Sequence, residues 1–289
     1  MSRMNDTGIV WRRLGVALLA CLALPLHAET RRVEGLEFDA VVVYGDVAVE
    51  ISQSNSESVE LLMRGDSAVL DRQPFLVEDR TLVLGRSRSH PGDDFSGIKF
   101  RLRTPALEHL ESRGGGEIYV RPLRCSRLFI SLAGSGTVRL YQVDAGDTVL
   151  QLGGSGDVQL AELSTDKLSV ALSGSGDIQF GTLTARAIEL SLQGSGGISL
   201  TTAAAGDTRT AGSRVETLAV SVIGSGDVAF DDLPVAHVSV NIVGSGDVRV
   251  GELQALEASI LGSGDVIYAG APEIREKVLI GAGELLRRR

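Results

Sequence analysis

Leu168-Ser169-Val170-Ala171-Leu172-Ser173-Gly174-Ser175-Gly176-Asp177-Ile178-Gln179-Phe180 is the stretch that decides the fold. Leu168, Val170 and Leu172, then Ile178 and Phe180, alternate with small or polar residues, the period of a half-buried β-strand. The turn between the two arms recurs. Gly134-Ser135-Gly136-Thr137, Gly154-Ser155-Gly156-Asp157, Gly174-Ser175-Gly176-Asp177 and Gly194-Ser195-Gly196-Gly197 follow at steps of 20 residues. Gly224-Ser225-Gly226-Asp227, Gly244-Ser245-Gly246-Asp247 and Gly262-Ser263-Gly264-Asp265 continue at steps of 30, 20 and 18. Degenerate copies stand at Gly114-Gly115-Gly116-Glu117 and Gly281-Ala282-Gly283-Glu284.

A fixed period of this kind signals a solenoid. The same parity holds in the other copies, as in Leu128, Ile130, Leu132, Val138 and Leu140, or Val238, Val240, Ile242, Val248 and Val250. No copy shows a helical period. Leucine-rich repeats need an Asn or Cys in a Leu-x-x-Leu-x-Leu frame, and propeller blades need about 40 residues. The expected fold is all-β, a parallel β-helix with one coil per 20 residues. Nine coils stacked at about 4.8 Å give a rod of roughly 38 Å. If the strand phase persists through the turn, both glycines of each copy face inward, where a narrowing corner admits only a residue without Cβ. Ser175 and Asp177 then face outward.

Composition agrees. The chain has 289 residues, 43% of them hydrophobic and 4% aromatic, with 35 glycines and no Gly-X-Y period. It can bury a large core, and disorder and collagen are excluded. A net charge of −9 opposes binding to a phosphate backbone, so nucleic acid is not an expected partner.

Arg3, Arg12 and Arg13 precede the apolar run from Leu14 to Leu24, and Leu26-His27-Ala28 offers a cleavage site. Residues 1–28 read as a signal peptide, because the run is shorter than the roughly 18 to 20 residues of a membrane span. Cys21, in a loose lipobox, makes lipid attachment the rival. Cleavage leaves Cys125 as the one cysteine, read as a small core or edge residue and not a reactive thiol. Residues 29–110 lack the repeat but carry strand-like runs at Ala40 to Ile51, Val59 to Met63, Thr81 to Leu84 and Ile98 to Leu102. They are expected to form an N-terminal β cap with irregular coils, followed by the regular repeats over 111–289. Arg287-Arg288-Arg289 reads as a charged tail that discourages end-to-end stacking.

The segment Arg32-Val33-Glu34-Gly35-Leu36-Glu37-Phe38, the segment Thr104-Pro105 followed by Leu107, and the serial Gly-Ser-Gly-Asp turns resemble the auto-transporter adhesin head, or GIN-domain, family of bacteria. The resemblance spans the chain after the signal. It implies a right-handed parallel β-helix in an envelope or secreted protein, with no assigned biochemical function. No barrel of eight or more strands follows the repeats, so a complete autotransporter is not expected.

The clearest candidate for chemistry is the acidic ladder Asp157, Asp177, Asp227, Asp247 and Asp265, interrupted at Thr137 and Gly197. Such carboxylates could share calcium. They are read instead as solvated turn residues, since two charges about 5 Å apart in water repel by only about 0.8 kcal/mol. Seven equivalent serines do not make one nucleophile, and His90, His109 and His237 are scattered, so neither a catalytic residue nor a zinc site nor a cofactor is expected. Tyr44, Tyr119, Tyr141 and Tyr268 with Lys99, Lys167 and Lys277 provide poorly for a sugar groove. A polysaccharide-processing enzyme therefore rests on fold analogy alone. The ten extra residues within Thr201 to Ser213 read as a neutral insertion, and Arg64-Gly65-Asp66 as a chance tripeptide. The expectation is an exported, non-enzymatic, adhesin-like binding module of the periplasm, outer membrane or cell surface, with an unidentified protein or glycan ligand. Self-association as a homo-oligomeric structural protein of the envelope is the further alternative.

Overall fold

The chain is described by a computed structural model over residues 28–201 and 215–288. It is a β-solenoid. The expected signal peptide up to His27, with Cys21, and nearly all of the ten-residue insertion lie outside these residues.

The strand β11 (Thr137–Gly154) shows how a coil closes. Its buried residues are Val138, Leu140, Val143, Ala145, Thr148, Leu150 and Leu152. The alternation slips by one residue between Leu140 and Val143 and again between Ala145 and Thr148. Each slip turns the chain while keeping apolar residues inside, and Gly154-Ser155-Gly156 makes the third turn. Strand β12 (Asp157–Gly174) repeats the course one coil on, in parallel register from Thr137↔Asp157 to Gly154↔Gly174. Strand β13 (Asp177–Gly194) follows in the same way, from Val158↔Ile178 to Gly174↔Gly194.

Where polar residues point inward they satisfy each other. Thr148 Oγ1 donates to Thr165 Oγ1 at 3.1 Å, and Thr165 Oγ1 reaches the Gly146 carbonyl at 2.9 Å. Phe180 and Phe230 fill the core edge to face, with centroids 6.2 Å apart.

The N-terminal end is not stacked in chain order. Its strands are β1 (Ala28–Glu34), β2 (Ala40–Tyr44), β3 (Ala48–Gln53), β4 (Glu60–Asp66), β5 (Phe75–Glu78), β6 (Thr81–Leu84), β7 (Lys99–Thr104), β8 (His109–Arg113) and β9 (Glu117–Val120). Strand β2 pairs with β6 on one side and β8 on the other, and β3 lies between β7 and β9, all parallel. The chain thus lays down the coil 40–53, builds outward from it, then returns to continue on its other face. Beyond that outer coil the direction reverses: β4 pairs antiparallel with β7, β1 with β4, and β5 with β6. The short helix α1 (Ser67–Leu70) tucks Leu70 into the core. Antiparallel strands end the parallel stacking, a feature the one-dimensional repeat does not announce.

Strand β10 (Leu123–Gly134) pairs with β8 and β11. After β13 come β14 (Gly197–Leu200), β15 (Val215–Gly224), β16 (Asp227–Phe230), β17 (Val235–Gly244) and β18 (Val248–Gly262). The last are β19 (Val266–Ala269), β20 (Glu273–Gly281) and β21 (Leu285–Arg287). Arg287 and Arg288 do not form a free tail. Arg287 closes a strand paired with β19, and Arg288 donates to the Asp231 carboxylate at 2.7 Å and to the Tyr268 carbonyl at 2.7 Å.

Candidate functional site

The repeated corner is a contact between backbones. Gly176 is buried, as its strand phase requires, but Gly174 is only half-buried and has φ +141°, a conformation that favours glycine. The obstacle to a side chain is not a narrowing interior. A Cβ on Gly174 would run into the Gly154 carbonyl oxygen, and one on Gly176 into the Gly156 carbonyl oxygen, one coil below. The hydrogen bonds explain this proximity. Ser175 N–H and Gly176 N–H both donate to the Gly154 carbonyl, at 2.9 and 3.2 Å, and the next corner repeats the pattern onto Gly174 at 3.0 and 3.2 Å. A single carbonyl takes two amides, so the coils sit closer here than a side chain permits.

The acidic ladder also has a structural occupation. Asp177 N–H donates to Asp157 Oδ1 at 3.2 Å, Gly197 N–H to Asp177 Oδ1 at 2.8 Å, and Asp247 N–H to Asp227 Oδ1 at 2.8 Å. Asp265 N–H reaches Asp247 Oδ1 at 2.9 Å, and Glu284 N–H reaches Asp265 Oδ1 at 2.8 Å. Where the coil below carries no aspartate, the amide turns to a glycine carbonyl, as Asp157 N–H does to Gly136 at 3.0 Å and Thr137 N–H to Gly116 at 3.1 Å. Each aspartate therefore staples its own coil to the one above, and one oxygen of each is committed to that bond. Among the described residues no group of three or more His, Cys, Asp or Glu could hold a metal ion.

The chemistry that converges lies on another column. Glu50, Tyr119, Arg139, Gln159 and Gln179 stand in register on successive coils. Beside them, at the bend that follows Leu140, Leu160, Phe180 and Leu200, stand Tyr141, Ala161, Gly181 and Thr201. Together with Arg121 these side chains line an open groove of about 770 Å³. At roughly 4.8 Å per coil, the floor from Tyr141 to Thr201 runs about 14 Å along the rod. The floor is shallow for a reason, since a Cβ on Gly181 would come within 2.5 Å of the Ala161 carbonyl oxygen. Tyr141 is 65% exposed and Tyr119 41%.

The polar wall is held by its own bonds. Arg139 donates to the Tyr119 hydroxyl at 2.8 Å, to Gln159 Oε1 at 3.2 Å and to Glu117 Oε1 at 3.3 Å, with its guanidinium 5.4 Å from the Tyr119 ring centre. The Tyr119 hydroxyl in turn donates to Glu117 Oε2 at 3.1 Å. Glu50 accepts from Arg121 at 2.8 Å and from Arg101 at 3.2 Å. The Arg121 hydrogen bond, with the charges of Arg101 and Arg121, holds the Glu50 carboxyl below the usual carboxylate range despite partial burial. It is a fixed anion suited to accepting hydrogen bonds and not to donating a proton.

Counting tyrosines along the chain missed this groove. Tyr119 and Tyr141 are 22 residues apart and so look out of register, yet one lies beside the bend and the other on it one coil later. Aligning the copies in columns would have shown Tyr119 over Arg139 and Tyr141 over Ala161.

Elsewhere the candidate residues have local roles. Asp66, of the Arg64-Gly65-Asp66 tripeptide, caps α1 by accepting from Ala68 N–H at 2.9 Å, while Arg64 and Gly65 pair within the β1–β4 ladder. His109 stacks on Phe129 with centroids 4.7 Å apart. Cys125 is half-buried, and burial first, then Glu108 and Asp144, pushes its thiol up to about 11. No helix among the described residues is long and apolar enough to cross a membrane.

A family model described as "Putative auto-transporter adhesin, head GIN domain" matches residues 37–205 and 198–272. Among solved structures, a putative lipid binding protein from Parabacteroides distasonis superposes with a TM-score of 0.64 at 23% identity, covering 91% of this chain and 97% of the other. A putative adhesin from Parabacteroides merdae gives 0.62 at 21% identity, over 91% and 96% of the two chains. A putative adhesin from Parabacteroides distasonis gives 0.61 at 20%, over 91% and 97%. At these identities the likeness is one of fold. No curated protein matches the chain.

Proposed function

The chain belongs to the family of auto-transporter adhesin head GIN domains, and from that premise we propose that it is an exported, non-enzymatic binding module of the bacterial envelope or surface. The observation that carries this reading is the groove along Tyr119, Arg139, Gln159 and Gln179, where exposed rings, an exposed amide and a half-buried one are mounted on a regular ladder. Side chains on stacked strands keep fixed spacing, so a ligand meets a preorganised surface. The charges there are paired with one another, and Glu50 is stabilised as an anion by Arg121, which suits recognition better than acid catalysis. Glycoside hydrolysis needs two carboxyl groups about 5 to 9.5 Å apart across the bond. Glu50 is the one carboxylate lining the groove among the described residues.

Self-association has an observation of its own. Ile223, Val243, Leu261 and Ile280 are in register on four successive coils and are each 37–60% exposed, an aliphatic column on the outside of the rod. Cell fractionation followed by protease treatment of intact cells tests the main reading. The protein is expected in the envelope fraction and accessible from outside; retention in the cytosol refutes export, and a purely periplasmic location refutes adhesion.

A further inference from the structure

Resting on the binding-module reading above, we infer that the Tyr119–Tyr141 groove takes a neutral oligosaccharide lying along the rod axis. Three features meet there. The Tyr141 ring, 65% exposed, is an apolar platform at one end of the floor. Gln159 and Gln179 place two amides one coil apart, and Arg139 fixes the first by taking its oxygen at 3.2 Å, so that its nitrogen is the donor left for a ligand. Ala161 and Gly181 keep the floor beside them low, which lets an extended molecule pass from Tyr141 along the amides.

The alternatives fit less well. An acyl chain would cover the Gln159 nitrogen and the Gln179 amide while offering them no partner, and each buried polar group left so is costly. An extended peptide gains most by adding to an unpaired strand edge, but the strands under the groove are paired on both sides. A strongly charged ligand gains little, because Arg139 already faces Glu117 and Arg121 already faces Glu50. A neutral sugar chain presents hydroxyls to the amides and a C–H face to the tyrosine ring, which is the combination the wall and floor offer.

The test is an array of immobilised neutral oligosaccharides of the cello, chito, xylo, malto and galacto series, with anionic glycans alongside, probed with the purified protein. Tyr141→Ala and Gln179→Ala are compared with Gln193→Ala, an exposed glutamine on a different leg of the coil. Circular dichroism and urea midpoints establish that all three fold. At least one neutral series is expected to bind, with Tyr141→Ala weakening it about tenfold, Gln179→Ala several-fold, and Gln193→Ala leaving it unchanged. A blank neutral array, binding confined to anionic glycans, or binding indifferent to Tyr141→Ala overturns the inference. So does a fluorescent fatty acid that enters the groove and is lost in Tyr141→Ala when no oligosaccharide binds. Adhesion of the protein to whole cells separates the two levels. If it persists in Tyr141→Ala while the array is blank, the sugar assignment fails and the binding-module reading stands; if both are absent, both fail.

Discussion

Gly153 and Gly176 occupy neighbouring corners of the same rod, and alanine at the two positions should have opposite consequences. At Gly153 nothing lies within 4 Å of an added Cβ, the backbone is not at positive φ, and the residue faces outward. Gly153→Ala should be neutral, or stabilise by about 0.4–1 kcal/mol by restricting the unfolded chain. At Gly176 the added Cβ would overlap the Gly156 carbonyl oxygen, which belongs to the stacked backbone and cannot rotate away. Relief requires the two coils to part, lengthening the bonds from Ser175 N–H and Gly176 N–H to Gly154. Overpacking of this kind costs about 1–3 kcal/mol, and weakening two backbone hydrogen bonds adds about 0.5–1.5 kcal/mol each at most. The expected loss for Gly176→Ala is thus about 2–6 kcal/mol. Gly174→Ala should exceed it, because φ +141° adds backbone strain of about 1–3 kcal/mol. Urea unfolding followed by far-ultraviolet circular dichroism measures all three. The slope must be compared as well as the midpoint, since a solenoid that opens at one corner can lose cooperativity. Equal midpoints for Gly176→Ala and Gly153→Ala would show that the corner has room for a side chain and that the carbonyl one coil below does not exclude one.

Three further outcomes are expected. Asp247→Ala removes the acceptor of Asp265 N–H but leaves that amide a glycine carbonyl to turn to, as Asp157 N–H does; the loss should be about 1 kcal/mol, the difference between a charged and a neutral hydrogen bond, and smaller for Asp247→Asn. A loss above about 3 kcal/mol would mean that the aspartates do more than staple coils. Because Arg121 depresses the folded-state pKa of Glu50, the stability it contributes is present above the unfolded value of about 4.3 and is lost as pH falls through the folded one. Glu50→Gln should therefore lower stability near pH 6 and flatten the acid limb of a plot of urea midpoint against pH; an unchanged limb contradicts the assignment. With its thiol pushed up to about 11, Cys125 should alkylate at pH 8 roughly a hundredfold more slowly than a free cysteine and react normally once the protein is unfolded in urea. Rapid labelling of the native protein would refute the burial argument.

The solenoid was legible in the sequence because its cause is local. Alternation in Leu168, Val170 and Leu172 and the recurring turn both act within one coil, and a fixed step makes every coil confirm the last. The phase slips at Leu140/Val143 and Ala145/Thr148 were legible in principle too, although a reading centred on the glycines passes over them. What could not be read were relations between coils. That Gly174 N-terminal to its serine offers one carbonyl to two amides, or that Asp177 bonds the amide of Gly197, depends on the close approach of backbones 20 residues apart. The inserted order of the first coils, with 40–53 between 81–104 and 109–120, depends on pairings that no period encodes.

The division between repeating and non-repeating positions carries the functional argument further. A residue required in every coil answers to something every coil shares, namely the coil beneath it. The glycines and the inward aliphatic residues do so in every coil, and the aspartates do so in the coils that carry them: remove the neighbouring coil and each loses the contact that explains it. The outward column Glu50, Tyr119, Arg139, Gln159, Gln179 and Ser199 is under no such demand, because the strands pair through their backbones whatever these side chains are. Variation there is tolerated by the fold, so the concentration of rings, amides and paired charges on a few coils is not needed to close the rod. The ladder fixes where those groups stand, and the choice of groups is left to whatever the groove binds. Exchanging Gln159 and Gln179 together for serine, the residue that the same column carries at position 199, should accordingly leave the unfolding free energy measured in urea within about 0.5 kcal/mol of wild type. A large loss of stability from that exchange would return the column to the fold and remove the strongest reason for placing the binding site there.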